Sequence, residues 1–426
     1  MLDDLFNSQD EEDNEDENFS HLIPACEDAM ASNKMDSLRF SEEEYEFLLN
    51  NYIMEGNDKM VNDLAHLAYL QHPYSADIVL RYADVLIVRR EIEEAKDILQ
   101  NLLERTTDNG DVYFLIGRAC LKSGEHEEAR KNIIKAVALL PEDASEMLQT
   151  AAQDYIDMAE FEKALEYLID AEAVFTDETE LYNDIAFCFE RLNRFEESLV
   201  YYEKYLDKDP FNDNVWFNVG TIHARELRFD KSLEAFDYAI ALNPENSSVL
   251  YNKAIVYVNT ENFQKGIDTF TEFLKFEPDN VFAIVGIAEA LLAMENLTEA
   301  AHYYQQALVL DKGNIEANAG LSLISMLKHD HFSALVYLRR IIGTDGLDYN
   351  FLSAQLLIEY RRTLLPEFLV YYLVASYHLH SMDSFVANIA ILLTLDELWL
   401  KKLYELVPKL RKDIAINKKI SKLREK

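Results

Sequence analysis

Glycine and proline are scarce in this chain, at 11 and 8 of 426 residues. Folds with many strands use both freely at turns, so the shortage favours helices joined by short connections. Cysteine is scarcer still. Cys26, Cys120 and Cys188 lie far apart, are odd in number and include no CxxC pair, which fits a reducing compartment. Basic residues are also under-supplied: 40 Lys and Arg face 78 Asp and Glu, a formal net charge of −38. Phosphate backbones are bound by cations that displace counterions, so nucleic acid is disfavoured as a partner overall. Long apolar runs are missing too. The unbroken stretch from Phe368 to Ala375 is far short of the roughly 18 residues that cross a bilayer. The opening MLDDLFNSQDEEDNEDENFS has neither the basic start nor the apolar core of a secretory leader. The expectation is a cytoplasmic protein without a transmembrane segment.

What the chain does hold is a 49% apolar content, enough for a continuous core. Length alone suggests two or three domains, but that inference fails if the chain repeats itself. It does. The segment DNVWFNVGTIHARELRFDKSLEAFDYAIALNP from Asp213 to Pro244 shows the pattern. A large opening residue recurs as Tyr45, Val79, Tyr113, Leu148, Tyr182, Trp216, Leu250 and Ile284, every step being 34 residues except one of 35. Four residues on, a small column reads Ala83, Gly117, Ala152, Ala186, Gly220, Ala254 and Ala288, with Leu49 as the departure. A second small column runs from Ala95 to Ala300, followed four residues later by bulky Leu99, Ile133, Leu168, Tyr202, Phe236, Phe270 and Tyr304. Pro73, Pro141, Pro210, Pro244 and Pro278 close five repeats. Offsets of three, four and seven keep residues on one helical face. Small residues admit a neighbouring helix and bulky ones fill the gap, while proline ends the second helix. One helix pair cannot bury its apolar face alone, so consecutive pairs must stack.

This pattern resembles the tetratricopeptide repeat family in eight consecutive repeats. The resemblance implies an all-α, right-handed superhelical solenoid of helix–turn–helix repeats, with a concave groove lined mainly by first helices. The expected organisation is an acidic disordered tail over 1–20, an N-terminal cap region over 21–41 and eight repeats over 42–314. Degenerate repeats with an inserted helix follow over 315–394, then a C-terminal capping helix with a basic tail over 395–426. In the tail, nine acids and no base surround Leu2, Leu5 and Phe6, which could form a docking motif or be incidental. FSEEEY from Phe40 to Tyr45 has the form of a capping box, with Ser41 as cap, Glu44 reaching back and Phe40 stapling Tyr45.

Catalytic chemistry is not signalled. No phosphate-binding, dinucleotide, nucleophile-elbow or HExxH motif occurs. The pairs His329/His331 and His378/His380 have a spacing of two, which a helix puts on different faces, so no metal site is expected, and no cofactor. His223 and Cys120 share a packing column. The chain reads as a non-enzymatic scaffold that binds partner proteins or peptides, with self-association left open.

Two residues after each opening residue comes a column that the repeat geometry aims at the groove: Thr150, Asp184, Asn218, Asn252 and Gly286. An amide offers both donors and an acceptor to a ligand backbone, and the resemblance implies that role for Asn218 and Asn252. Asn183, Phe217 and Tyr251 lie one residue earlier, the two rings offering apolar contact. Arg191 and Arg225, near the ends of their helices, could meet a ligand carboxylate. The first three repeats offer Glu46/Asn50, Leu80/Arg81/Asp84 and Phe114/Arg118, which is not the Lys and Asn order that grips a chaperone tail. The alternative is a regulatory or assembly subunit acting on a membrane or nucleic-acid surface through residues 401–426, which hold ten Lys/Arg and three acids.

Overall fold

A computed structural model describes residues 19–424 except Asn33, Thr107, 175–178 and Asp345. The acidic segment up to residue 18, with Leu2, Leu5 and Phe6, lies outside the described residues. Among those described there are 24 α-helices and no strand. They fall into two compact halves, one ending at Pro210 and the other beginning at Phe211.

The first half begins with α1 (Leu22–Ala31) and continues as five helix pairs. These are α2 (Glu42–Met54) with α3 (Asp58–Gln71), α4 (Ala76–Val88) with α5 (Ile92–Leu103), and α6 (Gly110–Lys122) with α7 (His126–Leu139). Then come α8 (Ala144–Asp157) with α9 (Phe161–Val174) and α10 (Thr179–Arg191) with α11 (Phe195–Lys208). The second half holds α12 (Asp213–Arg225) with α13 (Phe229–Leu242), α14 (Ser247–Asn259) with α15 (Phe263–Phe273), and α16 (Val281–Ala293) with α17 (Leu297–Leu310). It continues with α18 (Ile315–Leu327) and α19 (His331–Ile341), α20 (Tyr349–Thr363), α21 (Pro366–His378) and α22 (Met382–Leu392). α23 (Glu397–Leu406) and α24 (Ile414–Arg424) finish the chain.

Within each half, the second helix of a repeat packs on the first helix of its own pair and on that of the next. The columns read from the sequence form this contact. Ala83, Ala152, Ala186, Ala254 and Ala288 have no exposed surface, and the bulky residues from Leu99 to Tyr304 are at most 3% exposed. Where the small residue is glycine the approach is tightest: a Cβ on Gly117 would meet Ile133 at 2.6 Å, and one on Gly220 would meet the Phe236 ring at 2.5 Å. Ser198 and Ser232, which replace alanine in the second small column, donate their buried hydroxyls to the carbonyls of Ala186 (2.7 Å) and Gly220 (2.8 Å). A buried hydroxyl left without such a partner is destabilising, so serine is tolerated there only with this bond.

The turn inside each pair has one backbone form. Its central residue has positive φ in all nine pairs: Gly56, Arg90, Gly124, Ala159, Asn193, Leu227, Glu261, Glu295 and His329. In the α12–α13 turn the Leu227 amide donates to Ala224 (3.1 Å) and the Arg228 amide to His223 (2.8 Å). This is the Schellman closure, which satisfies the last carbonyls of the first helix. At the other end, Ser41 accepts from the Glu44 amide and Glu44 from the Ser41 amide. Phe40 meets Tyr45 edge-on at 5.3 Å.

After α19 the register changes. Gly343 and Gly346, at φ 87 and 91, turn the chain into α20, an extra helix docked on α18. Glu359 of α20 is completely buried, within 2.9 Å of His331 Nδ1 and 3.2 Å of Arg362 Nη2. The contact with His331 fastens α20 to the start of α19, and Arg362 of α20 also reaches His331 Nε2 at 3.3 Å. The Schellman turn then recurs at His380, whose amide reaches Tyr377 (3.1 Å) while Ser381 reaches Ser376 (2.9 Å), so α21 and α22 form a pair of the same kind. Glu367 joins Arg339 of α19 to Lys402 of α23. The segment expected as one capping helix is two, because Pro408 and a 3₁₀ turn from Pro408 to Lys412 separate α23 from α24. Ile416 and Ile420 of α24 are each 5% exposed and seal the core behind α22.

Candidate partner-binding groove

The first helices α14, α16 and α18 carry two adjoining clefts, both within the second half. The smaller, about 240 Å³, is lined by Tyr251, Ile255 and Val258 of α14, Phe270 of α15 and Phe282, Val285 and Gly286 of α16. The larger, about 800 Å³, lies between α16 and α18 and is closed at its far side by Leu347, Asp348 and Phe351 at the start of α20. Glu289 and Glu316 line both.

Glycine seats the aromatic walls of these clefts. Gly286 and Gly320 occupy the column two residues after the opening residue, where earlier repeats have Asn218 and Asn252. A Cβ at Gly286 would lie 2.7 Å from the Phe270 ring, and one at Gly320 would overlap the Tyr304 ring. Removing the side chain lets the aromatic ring of the preceding repeat lean onto the first-helix face, and Phe270 and Tyr304 each line one cleft. The rim is apolar and open to solvent: Phe282 is 70%, Leu327 44% and Phe351 43% exposed. Apolar surface concentrated in a concavity marks a place where a partner can bury area.

The two carboxylates sit in this apolar setting without a cation in ion-pair reach among the described residues. Glu289 and Glu316 both keep exposed surface at the cleft, yet desolvation by the surrounding wall pushes the Glu289 carboxyl above its usual value, and the Glu316 charge pushes it further. Asp348 is occupied as the cap of α20, accepting from the Asn350 amide at 2.9 Å. The first half presents the opposite arrangement. There Arg118 and Lys122 of α6 hold the nearly buried Asp154 at 2.7 Å each, and Arg118 also meets Asp84. These two acids are matched by cations from the same face.

The residues expected to bind a partner fall in both halves. Asn183, Asp184 and Arg191 are on α10 of the first half. Asn183 and Asp184 are half-buried, and burial pushes the Asp184 carboxyl up to about 6, with Glu180 adding to it. Arg191 is exposed and lies over the Phe161 ring at 5.2 Å and the Phe187 ring at 6.0 Å. In the second half, Phe217 and Asn218 are half-buried on α12 and Arg225 is exposed at its end. Phe217 packs on Phe236 at 6.1 Å. Tyr251 packs on Phe270 and Phe273, at 5.7 and 5.2 Å, and lines the smaller cleft. Asn252 is half-buried and donates to the Ser248 carbonyl at 2.9 Å, which leaves its other N–H and its oxygen for a ligand. Sequence reasoning missed Phe282, Glu289, Glu316, Leu323 and Phe351. The signal that could have found them was the glycine pair at 286 and 320 beside a phenylalanine.

Two family models described as tetratricopeptide repeat match residues 27–219 and 220–281. The chain is a tetratricopeptide repeat protein. Its similarity to individual proteins is low. MamA from Desulfovibrio magneticus RS-1 (residues 41 to the end) is 20% identical, with 38% of this chain and 93% of that one covered and a TM-score of 0.37. The C-terminal part of a TPR repeat-containing protein from Cytophaga hutchinsonii is 15% identical, with 64% and 98% covered and a TM-score of 0.42. PilF of Pseudomonas aeruginosa is 18% identical, with 54% and 96% covered and a TM-score of 0.40. No curated protein sequence matches this repeat protein. Among its described residues, no helix is long and apolar enough to cross a membrane, and no cluster of His, Cys, Asp and Glu is arranged to hold a metal ion.

Proposed function

We propose that this chain is a non-catalytic scaffold that receives a polypeptide segment of a partner protein along the first-helix face of its second half. Tetratricopeptide repeats as a family are protein-interaction modules. The observation that carries the reading is the pair of open apolar clefts on α14, α16, α18 and α20, with exposed Phe282, Leu327 and Phe351 at the rim. Their volume, and apolar walls set among a few carboxylates, suit side chains of another chain. The Asn218 and Asn252 face of α12 and α14 adjoins them through Tyr251 and would add backbone hydrogen bonds of about 0.5–1.5 kcal/mol each.

The alternative reading, through the basic C-terminus, keeps only its electrostatic part. Lys409, Arg411, Lys412, Lys418, Lys419 and Lys422 are exposed. The apolar residues Ile416 and Ile420 of α24 are used in the core, so α24 has little apolar face left to enter a bilayer.

Affinity capture from cells with the full-length chain tests the proposal. Leu323→Glu in the wall of the larger cleft and Phe351→Glu at its exposed rim should both abolish capture of specific partners, the second with the helical signal and melting close to wild type. Asn218→Ala with Asn252→Ala should weaken the same capture. Undiminished capture by the Leu323→Glu chain would refute the groove.

A further inference from the structure

The chemistry of the clefts restricts what can fill them. On the first-helix face of the other half, the chain supplies its own cations: Arg118 and Lys122 neutralise Asp84 and Asp154. At the clefts it supplies none among the described residues. Glu289 and Glu316 face the same concavity, repel one another, and are bordered by Phe282, Leu323 and Phe351. Two like charges near an apolar wall are held at a disadvantage that an incoming cation removes. A segment with only apolar side chains would desolvate both carboxylates without compensation, and an acidic one would add repulsion.

We infer that the occupant is a basic, apolar-anchored segment of a partner polypeptide: a large aliphatic or aromatic side chain enters the cleft between α16 and α18, and a neighbouring Lys or Arg pairs with Glu289 and Glu316. The inference rests on the groove reading above and adds the charge of the partner to it. Basic segments are drawn to the site before contact, so association is faster at low ionic strength. What makes this site selective is that its two unmatched carboxylates share a concave apolar wall. A protein with 38 more acids than bases by formal charge attracts cations everywhere, but only a concave apolar site converts that attraction into a fixed position.

An array of random 15-residue peptides, probed with the full-length chain at two salt concentrations, tests this. Peptides retained should combine a large apolar residue with Lys or Arg within about one helical turn of it. The best of them, labelled and titrated by fluorescence anisotropy, should bind the Glu289→Gln/Glu316→Gln double variant at least about tenfold more weakly and with a shallower salt dependence. These glutamines keep the shape and leave the fold readable by circular dichroism. Retention of acidic or uncharged peptides, retention of none, or equal affinity of the double variant would overturn the inference. So would concentration-dependent self-association that the double variant abolishes, since the occupant would then be a second copy offering its own Lys418 and Lys419. If Leu323→Glu still blocks capture while the glutamines do nothing, the groove stands and only its charge selectivity falls.

Discussion

Replacing Glu261 by glycine should stabilise the second half, and the structure gives the size of the effect. Glu261 is exposed and holds φ 58 at the turn between α14 and α15. Its amide donates to Val258 (3.0 Å) and the next amide, from Asn262, to Tyr257 (2.9 Å). The turn needs those bonds, not the side chain. Left-handed backbone costs an L-residue about 1–2 kcal/mol, and glycine avoids that. Glycine in turn loses about 0.5–1 kcal/mol more conformational freedom on folding. The difference leaves a stabilisation of about 0.5–1 kcal/mol, or about 2–4 °C per kcal/mol in a body of this size. Gly124 supplies the reciprocal test. It holds φ 80 in the matching turn of the first half, and a Cβ there would meet nothing within 4 Å. Gly124→Glu should therefore destabilise by about the same amount, through backbone strain alone. Urea unfolding followed at 222 nm, on both variants and wild type, reads the two shifts with opposite signs. If Glu261→Gly lowered the midpoint, or Gly124→Glu left it unchanged, the turn would not be setting its own strain and the argument would fail.

Three further outcomes are expected. Gly320→Ala should cost about 1–3 kcal/mol by forcing the Tyr304 ring from its place, with fluorescence of bound peptide lost as the larger cleft reshapes. Arg118→Met should cost about 1.5–3 kcal/mol in denaturant unfolding, because the nearly buried Asp154 would lose one charged hydrogen-bond partner and keep Lys122. Asp184→Asn should stabilise at pH 7.5 by about 1–3 kcal/mol. The Asp184 carboxyl is raised to about 6, so its favourable contribution is complete below about pH 4 and disappears as pH rises through 6. The benefit of the substitution over the native carboxylate should accordingly shrink between pH 7.5 and 4, and a benefit constant with pH would count against the burial assigned to that group.

The packing columns were legible because each one repeats a local demand: a small residue beneath a bulky one recurs wherever two helices must touch. The capping box at Ser41 was legible for the same reason, since it lies within four residues. The turn residues were not. Leu227, Glu261 and Glu295 occupy left-handed backbone against their own preference, held by hydrogen bonds that no residue type announces. The groove was read from what its column contains, the amides of Asn218 and Asn252. The clefts depend on what that column omits at Gly286 and Gly320, which seat the Phe270 and Tyr304 rings, and the larger one also on α20, a helix outside the repeat that is tied to the start of α19 through Glu359 and His331. Long-range closure of this kind leaves no period to count.

Splicing experiments inherit a constraint from α20. Positive-φ turns within helix pairs fall at intervals of one repeat as far as His329, but the next of that kind, at His380, comes one and a half repeats later. Exchange of whole 34-residue cassettes preserves the alternation of first and second helices only upstream of Gly343. Any chimera joined beyond that point must carry the extra half-step with it, or every following helix will arrive on the wrong layer.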